Sequence, residues 1–162
     1  MNIFEFAKKM EKDGENYYRE LAQQSPSQGF QAIMIMLADA EVKHYNILDE
    51  MEKKSTHPEL TETTVLNDAK NLFVKMKEDN ETFDFQANQV DLYRKAQQIE
   101  EQSEQFYLDK AHEVKDESQK TLFLKLAEEE KKHKFLMENI VDFVNRPQEW
   151  IENGEFNHLE DY

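Results

Sequence analysis

The chain has no cysteine, and it has only three glycines and three prolines among its 162 residues. Without cysteine there can be no disulfide, thiolate nucleophile, cysteine-ligated zinc or iron–sulfur centre, so any bound metal must have oxygen and nitrogen ligands. The scarcity of glycine and proline leaves long stretches without a helix breaker. Since alanine, glutamate, lysine, glutamine and leucine dominate those stretches, the sequence predicts a mainly α-helical protein of one domain.

Long apolar runs are also missing. The longest, residues 32–38, is far shorter than the roughly 20 residues that a membrane-spanning helix needs. Residues 1–5 lack the basic region and the apolar stretch of a signal peptide. We therefore expect a cytoplasmic protein with no membrane partner. Positive charge is scarce as well: the formal net charge is −15, which argues against a nucleic-acid partner because phosphates repel it.

Apolar residues recur at spacings of three and four, the pattern of helices that bury one face. This pattern predicts helices at residues 3–23, 29–54, 65–79, 88–114 and 118–145. Short turns join the first helix to the second and the fourth to the fifth, so each of these pairs is expected to form an antiparallel hairpin. The C-terminal tail is predicted to dock on the helices because it retains four apolar residues, Trp150, Ile151, Phe156 and Leu159.

One pattern occurs twice in the sequence, with an offset of 89 residues between the copies. In each copy a Glu-x-x-His motif follows another glutamate by 30 residues. The repeated residues are Glu11, Glu41 and His44 in the first copy and Glu100, Glu130 and His133 in the second. Other residues repeat at the same offset, including Tyr18 with Tyr107. The sequence therefore contains one helical hairpin twice, and two such hairpins would close a four-helix bundle.

The repeated glutamates and histidines are expected to point into the bundle. Residues three apart lie on one face of a helix, so Glu41 and His44 point the same way. A buried carboxylate needs a partner, and both Lys43 and Lys132 are expected to face solvent. The remaining partner is a cation, since two divalent ions balance the charge of four glutamates. All six repeated residues are therefore candidate ligands of a two-metal centre, and the same six are the candidate catalytic residues.

The six residues and their spacing resemble the ferritin-like di-iron carboxylate superfamily, and within it the rubrerythrin-like branch. These proteins combine a glutamate from each of two helices with Glu-x-x-His from each of the other two. Residues 10–18 and 37–41 are similar to that branch as well, and the resemblance extends from residue 1 to about residue 145. It implies a ferritin-like four-helix bundle at residues 1–146, with repeat units at about 3–54 and 90–145, a long crossover at 55–88 and a tail at 147–162.

The resemblance also implies a role for each residue and a cofactor. Glu41 and Glu130 would bridge two metal ions, Glu11 and Glu100 would be terminal ligands, and His44 and His133 would each bind one ion. The implied ions are two irons. Manganese and zinc accept the same oxygen and nitrogen ligands, so the sequence leaves them open. The implied activity is that of an oxidoreductase that reacts with peroxide or oxygen.

Two features depart from the rubrerythrin pattern. Full-length rubrerythrins carry a cysteine-ligated rubredoxin domain, which this chain lacks, so we expect an external electron donor. They also place a further glutamate three residues after that of the third bundle helix, where this chain has Ser103. Glu104 is the next residue, and the sequence leaves open whether either side chain takes part in the site.

Two alternatives to an oxidoreductase fit the same six residues. One is a non-catalytic protein that binds, oxidises and stores iron. The other is a structural module whose site is vestigial. The exposed helix faces leave room for a homodimer in each case.

Two further groups of residues are candidates to support the centre. Tyr18 and Tyr107 lie two turns after the upstream glutamates. Each could hydrogen-bond a ligand carboxylate or carry a radical, but the role that we favour is that of a buried tyrosine whose hydroxyl is satisfied. Asp39, Glu128 and Glu129 closely precede the bridging glutamates. They either orient a histidine ring through its free N–H group or lie on the surface.

Overall fold

The computed structural model describes residues 1–54, 60 and 62–162. This part of the chain forms α1 (Ile3–Gln23), α2 (Gln28–Lys54), α3 (Val65–Glu78), α4 (Ala87–Glu113), α5 (Glu117–Asn145), α6 (Pro147–Glu152) and a 3-10 helix (Glu155–Asp161). No strand occurs among the described residues. The predicted all-α fold is confirmed, and each predicted helix begins and ends within one residue of the observed one.

Local chemistry accounts for where the long helices begin. The Asn2 side chain accepts a hydrogen bond from the backbone N–H of Glu5 at 2.8 Å, and Asp116 does the same for Gln119 at 2.9 Å. Such caps satisfy backbone donors that have no partner in the first helical turn. Pro147 occupies the first turn of α6, where its missing N–H is not needed.

The first two helices form an antiparallel hairpin. Lys8, near the start of α1, bonds to Asp49 near the end of α2 at 2.9 Å. Arg19, near the end of α1, bonds to Asp39 in the first half of α2 at 3.1 Å. The two helices therefore run in opposite directions side by side.

The second hairpin joins α4 and α5 in the same way. Tyr107 in the second half of α4 stacks on Phe123 near the start of α5, with ring centroids 6.1 Å apart. Glu104, one turn earlier, accepts a hydrogen bond from Lys134 at 2.9 Å. Since earlier positions on α4 meet later positions on α5, these helices are also antiparallel.

Two apolar clusters lie on either side of a polar layer in the bundle. On α2, Leu37 belongs to the larger cluster and Leu48 to the smaller one. On α5 the corresponding residues are Leu136 and Leu126. On each helix the Glu-x-x-His motif lies between the two clusters, so the polar layer is enclosed by hydrocarbon on both sides.

The crossover and the C-terminal tail complete the larger cluster. Phe73 of α3 contacts Phe143 of α5 and Trp150 of α6, with ring centroids 5.2 and 4.6 Å apart. The four apolar tail residues identified in the sequence are each at most 5% exposed, which confirms that the tail docks. The first part of the predicted crossover, residues 55–59, and residue 61 lie outside the described residues.

A close approach between α2 and α3 requires glycine at position 29. A Cβ atom there would lie 2.6 Å from Cγ of Met76. That separation is too short for two carbon atoms, so Gly29 allows the end of α3 to contact the start of α2.

None of the helices in the described ranges combines the length and the apolar composition that a bilayer crossing requires.

Replacement of Phe156 by alanine tests the docking of the tail. Phe156→Ala should lower the free energy of unfolding by about 3–5 kcal/mol, because it leaves a cavity beside Trp150. Phe6→Ala is the matched control, since the Phe6 side chain is 50% exposed and its loss should cost about 1 kcal/mol or less. Urea unfolding of the metal-free protein measures both. Equal, small losses would contradict a docked tail.

Candidate metal centre

The structure brings all six sequence-predicted ligands together in the polar layer. None of them is more than 4% exposed. Glu11 and Glu100 come from α1 and α4, whereas the two Glu-x-x-His pairs come from α2 and α5. The residues are Glu11, Glu41, His44, Glu100, Glu130 and His133.

The six side chains form two overlapping groups that could each hold a metal ion. One group consists of Glu11, His44 and two shared glutamates, and the other consists of Glu100, His133 and the same two glutamates. The shared residues are Glu41 and Glu130. Within each group the potential ligand atoms all lie within 4.8 Å of one another. This arrangement is compatible with two ions bridged by two carboxylates.

Each histidine presents Nδ1 to the carboxylates. His44 Nδ1 lies 2.9 Å from Glu130 Oε1, a glutamate of the other half. His133 Nδ1 lies 3.2 Å from Glu41 Oε1 in the reciprocal contact. The two rings are nearly parallel, with centroids 5.8 Å apart. Both Nδ1 atoms therefore face the space in which the carboxylates converge.

The repeated tyrosines hold the terminal glutamates across the two halves. The Tyr18 hydroxyl donates to Glu100 Oε1, and the Tyr107 hydroxyl donates to Glu11 Oε1, each at 2.5 Å. Burial raises the pKa of both hydroxyls, and the acceptor carboxylate raises it further, so each tyrosine keeps the proton that it donates. Both expectations for these residues are met, because each is buried and bonded to a candidate ligand.

Burial and neighbouring charges shift the pKa values of the four carboxyl groups in two directions. Burial raises the pKa of Glu41 well above its usual value, and the charges of Glu11 and Glu100 raise it further. Burial and neighbouring carboxylates do the same for Glu130. Both shifts favour the protonated form of the motif glutamates, which reduces repulsion at the centre.

The two terminal glutamates behave in the opposite way. Burial opposes ionisation of Glu11, but the charge of His44 and a hydrogen bond with Glu41 outweigh it and lower the pKa to about 2. Burial likewise opposes ionisation of Glu100. A hydrogen bond with Glu130 and the charge of His133 outweigh it, and the pKa of Glu100 is lowered.

Several buried atoms of the centre have no hydrogen-bond partner among the described residues. These include Oε2 of Glu11, Glu100 and Glu130. A buried carboxylate oxygen without a partner is costly, and a bound cation would satisfy it. Carboxylate oxygen and imidazole nitrogen are suitable ligands for iron, manganese and zinc. The residues present therefore fit a pair of such ions.

A small residue at position 14 leaves room for Glu41. A Cβ atom at Gly14 would lie 3.2 Å from Glu41 Oε2. The equivalent residue of the second half, Ser103, is buried but does not belong to either candidate ligand group. Glu104 bonds to Lys134 at 2.9 Å and also lies outside both groups. The question that the sequence left open is thus answered against Glu104 as a ligand in the described arrangement.

One expectation about the flanking residues is wrong. Lys43 is exposed as predicted, but Lys132 is only 4% exposed. Its ammonium group bonds to Glu62 of the crossover at 2.9 Å and lies 3.5 Å from Glu129. Lys132 is buried because the crossover covers this side of α5, which the sequence pattern of α5 alone does not reveal.

The candidates for orienting the histidine rings have other partners. Asp39 bonds to Arg19, and Glu128 is exposed and accepts a hydrogen bond from Tyr162. Glu129 is buried, but it accepts hydrogen bonds from Thr63. Nε2 of each histidine has no hydrogen-bond partner among the residues that the structure describes.

The raised pKa values predict how stability depends on pH in the metal-free protein. Above about pH 4.5, the unfolded chain loses protons that folded Glu41 and Glu130 retain, so stability should fall as pH rises above about 5. Each retained proton contributes a slope of about 1.4 kcal/mol per pH unit. The lowered pKa values of Glu11 and Glu100 contribute stability that is already complete in this range.

Glu41→Gln tests this dependence, because glutamine keeps a donor but cannot ionise. The variant should show a shallower fall of unfolding free energy with pH, measured by urea unfolding in the presence of a chelator. Glu101→Gln changes an exposed residue and serves as the control. Parallel pH profiles for wild type and Glu41→Gln would contradict the assignment.

Gly14→Ala tests the space beside Glu41. The added methyl group should weaken binding of zinc by about tenfold, because Glu41 must shift by a few tenths of an ångström from its position in the centre. Ser103→Ala is the matched control in the other half, and it adds no atom. Calorimetric titration with Zn²⁺ compares the two. Equal affinities would show that the contact with Gly14 does not constrain the ligand.

Comparison with known proteins identifies the family of the chain. Neither the curated proteins nor the solved structures give a match. The protein-family model described as Rubrerythrin matches residues 2–141, a range that contains all six candidate ligands. A match over most of the chain establishes membership, and the protein therefore belongs to the rubrerythrin family.

Proposed function

We propose that the protein is a dinuclear metal oxidoreductase, with iron as its metal, that reacts with peroxide or oxygen. The observation that carries this proposal is the pair of overlapping ligand groups, buried together and sharing Glu41 and Glu130. Family membership supports it, because the same combination of glutamates and Glu-x-x-His pairs forms the metal centre in ferritin-like di-iron proteins.

The charge of the centre favours two divalent ions. Four ionised glutamates carry four negative charges, which two such ions neutralise. Without the ions, the same residues reduce repulsion by retaining protons on Glu41 and Glu130. Metal binding therefore requires these two glutamates to release their protons, and the histidines to present an unprotonated Nδ1.

The surrounding residues hold the ligands in place. Tyr18 and Tyr107 each fix one oxygen of a terminal glutamate and leave the other oxygen free. The bridging glutamates have no tyrosine partner among the described residues and are held by contacts with the histidines. The apolar clusters on both sides exclude water from the layer.

Two bound Fe²⁺ ions would supply the two electrons that, with two protons, convert one hydrogen peroxide molecule into two waters. The chain has no cysteine with which to hold an iron–sulfur or rubredoxin-type donor of its own. We therefore propose that a separate electron donor restores the reduced centre. The acidic surface favours a donor with a positively charged contact face.

Anaerobic titration with Fe²⁺ followed by hydrogen peroxide tests the proposal. Wild type should bind two Fe²⁺ per chain, oxidise both with one equivalent of peroxide, and repeat this when a chemical reductant is added. Glu100→Gln should bind fewer than two ions, because it removes one ligand charge. Glu101→Gln, at the adjacent exposed position, should behave as wild type.

The outcome distinguishes the proposed oxidoreductase from its alternatives. A single oxidation, with ferric ion that reductant does not return to the ferrous state, would favour iron storage. Equal metal content in Glu100→Gln and wild type would favour a vestigial site. Repeated, iron-dependent consumption of peroxide would support the proposal.

A further inference from the structure

A set of polar contacts, partly shielded from solvent, ties the crossover to the metal-centre helix α5. Glu129 accepts hydrogen bonds from the backbone N–H of Thr63 at 2.9 Å and from its hydroxyl at 2.6 Å. Lys132 donates to Glu62 at 2.9 Å. Glu129 and Lys132 are at most 4% exposed. We call these four residues the latch, and residues 62–64 the strap.

The latch belongs to one half of the duplicated bundle. At the offset of 89 residues, Glu129 corresponds to Ala40 and Lys132 corresponds to Lys43. Alanine cannot form an ion pair, and Lys43 is exposed. The six candidate metal ligands have the same residue types in both halves, whereas Glu129 of the latch has alanine as its counterpart. We therefore associate the latch with a feature found in only one half, the strap.

The strap and α2 line a cavity of about 880 Å³ that reaches the metal centre. His44 forms part of its wall, and so do all three strap residues. Nδ1 of His44 faces the carboxylates, so the opposite edge of the ring, with the unpartnered Nε2, faces away from them. One imidazole ring thus separates the cavity from the centre.

The rim of the cavity carries more negative than positive charge. Asp39, Glu62 and Asp68 are exposed and contribute carboxylates, whereas Lys43 contributes the one cation among the described lining residues. Asp39 and Glu62 are already paired with Arg19 and Lys132, so these two carboxylates would meet an entering cation by exchanging partners. The inner wall includes Ala40, which adds little bulk beside His44.

We propose that divalent metal ions exchange with the centre through this cavity, past His44, and that the latch controls the exchange by holding the strap in place. Glu129 and Lys132 are positioning residues in this proposal, since they act through the strap and not on the ion. The inference rests on the proposed metal-binding function. It adds a route and a control point, neither of which follows from the six ligands.

The contacts of the latch explain why the strap is held closed, because its two α5 residues, Glu129 and Lys132, are buried. When the strap lifts, Glu129 loses both hydrogen bonds from Thr63, and Lys132 loses Glu62. Hydrogen bonds to charged groups are among the stronger contributions of this kind to stability. Opening is therefore a rare local event, and weakening any one contact should make it more frequent.

Release of Zn²⁺ from the loaded protein to an excess of a coloured chelator measures exchange without any redox reaction. Lys132→Met should release zinc about tenfold faster than wild type, because it removes a charged hydrogen bond to the strap. Lys131→Met is the matched control, since it makes the same change at the adjacent, exposed position of α5, which does not line the cavity. It should release zinc at the wild-type rate.

A second pair covers the case in which Lys132→Met does not fold. Thr63→Val removes one hydrogen bond to Glu129 and keeps the shape of the side chain, so it should also accelerate release. Thr121→Val is its control, because Thr121 is exposed on α5 and belongs neither to the strap nor to the cavity wall. Phe156→Ala lowers global stability at the far end of α3, beside Lys77, and should leave the release rate unchanged.

The results separate this proposal from the proposed function. Failure of wild type to bind two Zn²⁺ would count against the metal centre itself. If wild type binds two ions, equal release rates within either matched pair that folds would overturn the control by the latch. Release from Phe156→Ala as fast as from Thr63→Val would also overturn it, because global unfolding would then explain the rate.

Discussion

Four carboxylates and two imidazoles occupy one layer of the bundle, and none of the six side chains is more than 4% exposed. Like charges at this density in a medium of low polarity repel each other strongly, so the layer is stable only when positive charge or protons balance it. In the metal-free protein, protons on Glu41 and Glu130 supply part of that balance. The rest of the structure excludes water from this layer, fixes the positions of its side chains and leaves a route by which ions reach it.

Water is excluded from the polar layer by the distribution of apolar residues along the helices. Each long helix carries side chains of one apolar cluster before its ligands and of the other cluster after them. The larger cluster also includes Phe73 of α3 and Trp150 of the C-terminal tail, whose rings contact each other. The tail therefore contributes to the packing of this cluster, although no tail residue belongs to either ligand group.

The parts of this arrangement that repeat could be predicted from the sequence, because a repeat at constant offset reveals which residues share an environment. Helix positions, the six converging side chains and the burial of Tyr18 and Tyr107 all follow from that pattern. The parts that do not repeat were less accessible. The helical pattern of α5 places Lys132 at a position expected to face solvent. It is buried because the crossover passes over α5 at this point. The residues around Thr63 in the sequence do not indicate that it bonds to Glu129, because Glu129 is 66 residues away.

The hydrogen bonds from Tyr18 to Glu100 and from Tyr107 to Glu11 have a consequence for how such a bundle could arise. Each phenol serves a carboxylate of the opposite hairpin, so a single hairpin on its own would leave both its tyrosine and its glutamate unsatisfied. Two separate copies could satisfy each other as a symmetric pair, at a cost that depends on concentration. Joining them in one chain makes the encounter intramolecular and fixes the effective concentration of one half around the other. After such a fusion each half is free to diverge, provided that the reciprocal phenol–carboxylate contacts are retained.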